Sequence, residues 1–113
     1  MTGCFADAAV GRDGARARLS RAALERLCDG HFPGDPIVPG AYVAGVMADL
    51  GGMVADGRAL SQVERCTFLA PVRPADGLVA IASAPERDAE DLVVGVEVLD
   101  GERCLARGRF RFA

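Results

Sequence analysis

Hydrophobic positions along this chain follow one period, switch to a second, and then return to the first. Residues 4 to 10 and 15 to 19 are short runs separated by glycine, and Arg16-Ala17-Arg18-Leu19 alternates as a half-exposed strand does. Together they predict a first hairpin around Gly11-Arg12-Asp13-Gly14. Ser20 stands at a helix-capping position, and Ala22, Ala23, Leu24 and Leu27 predict a short helix that ends before Asp29-Gly30. From Ala41 to about Asp56 the chain is apolar on nearly every helical face, with Pro39-Gly40 at its start and Gly57 after it. Such a helix is expected to be buried, and Gly45, Gly51 and Gly52 let neighbouring backbone approach it closely. After Gly57 the period returns to two. Four strands follow: Val63 to Phe68, Leu78 to Ala84, Leu92 to Leu99 and Glu102 to Phe112. Asp100-Gly101 predicts a tight hairpin between the last two, and Pro71 to Asp76 bends the chain between the first two. The expected architecture is α+β, an antiparallel sheet wrapped around one long central helix.

Composition narrows the classes of function. The chain has 113 residues, 50% of them hydrophobic, and residues 1–113 are expected to form one domain that gains by burying further surface in an oligomer. A net charge of −3, with every basic residue an arginine and no basic block, points away from nucleic acid and from anionic membrane. No segment reaches membrane-spanning length and no leader pattern stands at the start, so a cytoplasmic location is expected. Cys4, Cys28, Cys66 and Cys104 are widely spaced and only one histidine is present, so no metal site is expected. The spacing allows two disulfides, but buried thiols that pack as small hydrophobes are the reading taken.

Candidate chemistry centres on His31-Phe32-Pro33-Gly34-Asp35-Pro36-Ile37-Val38-Pro39-Gly40, which holds that histidine and leads into the long helix. Histidine exchanges a proton near neutral pH, and three prolines with two glycines give the loop a defined path. Asp49 is the one charge inside the helix and needs a partner or a task to offset its burial. The amides of Gly40 and Ala41 fall at a helix N-terminus, where partial positive charge favours an oxygen that gains charge. Tyr42, the single tyrosine, falls in the first turn, as a pocket wall or as packing.

This loop, together with Phe68-Leu69-Ala70-Pro71-Val72-Arg73-Pro74-Ala75-Asp76-Gly77-Leu78, resembles the motifs of the hot-dog-fold 3-hydroxyacyl-ACP dehydratases of fatty acid synthesis. The resemblance implies a hot-dog fold, a homodimer with two sites at the interface, and an acyl substrate carried on the phosphopantetheine of acyl carrier protein or CoA, with no other cofactor. It places His31 on the catalytic histidine, which assists removal of the α-proton, and Gly40 on the glycine at the helix start. It also implies that Phe32, Pro33, Gly34, Pro39, Gly40, Ala41, Tyr42 and Gly45 line the substrate site. Where the family carries the carboxylate that protonates the departing hydroxyl, this chain has Gly45. Asp49 lies one turn on, sharing that face about 6 Å further along the axis, and is the candidate substitute acid.

Three readings follow from the missing acid. The leading one is dehydratase-like elimination of water with His31 as base. A second is an acyl-binding or partner subunit of an active dehydratase, and a third is a thioesterase, since one fold hosts several reactions. An acidic carrier protein would dock on basic residues, for which Arg73, Arg107, Arg109 and Arg111 are candidates.

Overall fold

Alternation of small apolar residues with arginine gives the sheet a buried and an exposed face. In β2 (Gly14–Leu19) Ala15, Ala17 and Leu19 are buried while Arg16 and Arg18 face out. The computed structural model describes residues 2–28 and 34–113. A 3₁₀ turn (Thr2–Cys4) leads into β1 (Phe5–Gly11), which returns as β2 through Arg12-Asp13. At the far end of that turn Gly14 has φ 127°, and a Cβ there would sit 2.1 Å from the Ala82 carbonyl oxygen, so only glycine fits.

α1 (Arg21–Leu27) begins where expected, with Ser20 Oγ accepting a hydrogen bond from the Ala23 amide at 3.2 Å. α2 (Gly40–Met53) is the long helix. It ends short of the expected Asp56: Val54 caps it, and Asp56 and Gly57 both turn left-handed, at φ 55° and 75°. One flank carries the buried Val43, Val46, Met47 and Leu50, while Ala41 and Tyr42 are exposed. Burial on every side was expected from its composition; among the described residues the helix instead keeps a half-exposed flank that includes Gly45, Ala48 and Asp49.

The remaining strands are β3 (Leu60–Phe68), β4 (Leu78–Ser83), β5 (Glu86–Asp88), β6 (Asp91–Asp100) and β7 (Arg103–Phe112). All pairings are antiparallel, in the order β1-β2-β4-β6-β7-β3, with β5 paired to β6. The sheet curls so that α2 touches β2, β3, β4, β6 and β7. Ala17, Ala80 and Ala106, fully buried beneath the helix, keep the floor low, and Phe110 and Phe112 fill the remaining space. A Cβ on Gly51 would meet the Phe112 ring at 3.3 Å, so the close approach expected of that glycine is used.

Three details depart from the alternation. β5 is a three-residue strand that carries no readable period. Asp100 pairs with Arg103, so the last hairpin turns on Gly101-Glu102, one residue later than expected, with Gly101 at φ 60°. β3 starts earlier than Val63 and has register shifts at Leu60/Gln62 and Val63/Arg65. The second shift puts Glu64 on the outer face, where it accepts from Arg109 Nε at 3.1 Å and Arg111 Nε at 2.7 Å.

Candidate functional site at the start of the central helix

Pro39 opens α2 with no side-chain cap, and its carbonyl accepts from the amides of Tyr42 at 2.9 Å and Val43 at 3.1 Å. The amides of Gly40 and Ala41 belong to the first turn, whose N–H groups have no acceptor within the helix. Together with the helix dipole they make a polar spot suited to an oxygen that develops negative charge.

The ring of Phe68, at the end of β3, lies against Gly40, so close that a Cβ there would stand 3.1 Å from it. Phe68 and Leu69 are each half-exposed. With Ile37, Val38, Val43 and Val72 they line an open apolar cavity of about 440 Å³ that reaches Gly40. Polar amides at the rim of an apolar cavity suit a ligand with a carbonyl head and a hydrocarbon tail.

Two contacts hold the proline-rich segment to the turn that follows β3. The Val38 amide donates to the Val72 carbonyl at 2.8 Å, and Arg73 donates to Asp35 through Nε at 2.8 Å and Nη2 at 3.1 Å. Gly34, just before Asp35, is exposed and left-handed at φ 85°. The two regions that carry the family resemblance are thus joined in space. His31, Phe32 and Pro33 lie outside the described residues.

Of the remaining site candidates, Pro39, Gly40, Ala41 and Tyr42 gather at this end of α2. Gly45 is half-buried one turn further along, and Asp49 lies nine residues from Gly40, about 13 Å along the axis. Its Oδ2 is buried, and its charge reaches Cys4, whose thiol is pushed up first by burial and further by Asp49.

The arginines considered for carrier docking divide by their partners. Arg73 is engaged by Asp35, Arg109 by Glu64, and Arg111 by Glu64, Asp88 and Asp91. Arg107 is in no ion pair among the described residues. Cys4 and Cys28 are buried, whereas Cys66 and Cys104 are only half-buried, so the expectation of four buried thiols holds for two. Burial pushes the Cys66 thiol up as well. Phe68 and the Asp35–Arg73 pair were missed as site features; the signal for both was their position inside the two motif segments. Among the described residues no helix is long and apolar enough to cross a membrane.

An antiparallel sheet curled about one long helix, with the site at that helix's start, defines a hot-dog protein. The model of the ApeI-like family, ApeI dehydratase, matches residues 9–104, and the chain belongs to that family. A 3-hydroxyacyl-[acyl-carrier-protein] dehydratase FabZ from Syntrophobacter fumaroxidans is 30% identical over 91 residues, which cover 73% of this chain and 62% of that protein. The chain thus spans less than two thirds of that relative. The dehydratase heterocomplex ApeI:P from Xenorhabdus doucetiae has the same fold, with a TM-score of 0.67 at 18% identity over 96% of each chain. The AziG structure from S. sahachiroi is 29% identical, covering 96% of this chain and 86% of that one, with a TM-score of 0.71.

Proposed function

We propose that this chain binds a 3-hydroxyacyl thioester, carried on acyl carrier protein or CoA, and eliminates water from it. The observation that carries the reading is the junction of the Gly40 and Ala41 amides with the apolar cavity beside Phe68, in a chain whose sequence leads into that helix through the dehydratase motif. The His31 imidazole takes the proton from C2, and negative charge grows on the thioester oxygen held by the two amides. The C2–C3 double bond forms as the C3–O bond breaks, and the departing hydroxide takes a proton to leave as water. In this chain that proton comes back from the His31 imidazolium or from Asp49, because Gly45 offers none.

A second reading is favoured by Gly45 itself. A chain with the motif histidine but glycine at the family's acidic position suits pairing with an acid-bearing relative, and ApeI:P is a dehydratase heterocomplex. The edge strand β3, with Leu60, Val63 and Phe68 about half-exposed, is the surface through which a second chain, identical or related, would join.

The test is incubation with 3-hydroxyacyl thioesters of acyl carrier protein, read by mass spectrometry beside His31→Ala. Enoyl product that disappears in the variant supports the enzyme reading. Free acid would assign hydrolysis instead. No product from the folded protein alone, with turnover restored by an acid-bearing relative, would assign the partner role.

A further inference from the structure

The apolar cavity at the start of α2 does not end at solvent-facing residues. Its inner wall is Val38, Val43 and Val72, buried side chains from the proline-rich segment, the helix and the turn after β3. The same three valines form one side of a second, much smaller space of about 10 Å³, whose other described walls are Leu19, Leu24, Val46 and Val98. Among the described residues only apolar side chains line either space. The inner one has about the room of a single water, and its described lining offers no polar side chain to hold one.

We propose that Val38, Val43 and Val72 are a chain-length partition: the acyl tail of the thioester lies in the outer cavity and stops against these valines, which close off the void beneath α1. This rests on the acyl-thioester reading and adds the determinant of tail length. Three features favour an acyl tail over other occupants. The described lining side chains are all apolar, the rim holds the Gly40 amide that would bind the thioester oxygen, and buried valines stand at the inward side. The wall is stiff for two reasons. Valine has little χ1 freedom, and the Val38 amide is hydrogen-bonded to the Val72 carbonyl at 2.8 Å, which fixes the backbone on two of its three sides. Removing the branch methyls of Val43 or Val72 joins the outer cavity to the void, whereas adding a methyl shortens the cavity.

The experiment measures binding of acyl-pantetheine thioesters of increasing even chain length by calorimetry, with wild-type protein, Val43→Ala, Val72→Ala and Val72→Ile, each checked for folding by thermal melts. In wild type, affinity rises about fourfold per buried methylene, equivalent to ~0.8 kcal/mol, until the tail meets the wall and the gain stops. The alanine variants move that stop to longer tails and the isoleucine variant moves it to shorter ones. Folded variants whose affinities change equally at every length, or not at all, overturn the partition while leaving the acyl reading standing. Failure of every protein to bind any thioester overturns both.

Discussion

Arg73 grips Asp35 with two parallel hydrogen bonds, Nε to Oδ1 at 2.8 Å and Nη2 to Oδ2 at 3.1 Å, and so ties the turn after β3 to the segment that follows His31. A planar guanidinium matches a carboxylate in this way and a lysine would not. Arg73 holds the Asp35 carboxyl below its ordinary range. A carboxyl lowered on folding stabilises the protein above its unfolded value, about 3.9, and loses that contribution as pH falls through the lowered folded value. Melting temperature should therefore fall on acidification below about pH 4, and Asp35→Asn should remove a small part of that fall, small because both side chains are exposed. Thermal melts from neutral pH to pH 2 check this.

Arg111 is the hub of the outer face, joining Glu64 of β3, Asp88 of β5 and Asp91 of β6 to β7. Its hydrogen bonds hold the Glu64 and Asp88 carboxyls low. Arg111→Ala leaves Asp88 and Asp91 without their shared cation and Glu64 with Arg109 alone, so the melting temperature should drop by several degrees at neutral pH, and the loss should shrink as pH falls and the carboxylates are protonated. Arg111→Lys should recover less than half of the neutral-pH loss, because one ammonium cannot replace the fork.

Two glycines of one chemistry should answer differently to alanine. At Gly108 a Cβ would stand 2.7 Å from the buried Phe110 ring and 3.1 Å from the Arg65 carbonyl oxygen, so Gly108→Ala should cost about 1–3 kcal/mol by denaturant unfolding. At Gly40 the obstacle is the half-exposed Phe68 ring, which can swing aside. Gly40→Ala should leave stability within about 1 kcal/mol and weaken thioester binding, because the added methyl and the displaced ring crowd the amides.

The sequence carried most of this architecture because its strong signals are physical necessities. Arginine alternating with alanine in Gly14–Leu19 admits one register with a buried face, and Ser20 before a short helical run is a cap. What stayed hidden depends on contacts across distance. The extra residue at Glu64 obeys Arg109 and Arg111 on a neighbouring strand, and β5 exists only because β6 offers it an edge. The site was half legible. The helix start could be read from Pro39-Gly40, but the cavity beside it is made by Phe68 and Val72, some thirty residues on. The reach of Asp49 needed the helix bounds, which place it about 13 Å beyond Gly40.

If Gly45 is the missing acid position, Gly45→Glu should raise dehydration by about 10²- to 10⁴-fold, the usual worth of a positioned acid. Asp49→Asn in the native chain should then lower turnover if Asp49 supplies the proton, and leave it unchanged if His31 returns it. Steady-state enoyl formation, measured for both variants and the double variant, separates the two routes.

The proposed chemistry turns on removal by His31 of the α-proton of a thioester bound at the start of α2. Its most direct measurement is proton exchange at C2 of a saturated acyl-pantetheine in heavy water, followed by mass spectrometry, because it needs no acid and no leaving group. Removal of the α-proton by His31 predicts deuterium uptake by wild type that vanishes in His31→Ala, with binding of the thioester retained. Bound thioester with no exchange in folded wild-type protein, or exchange unaltered in the variant, would contradict it.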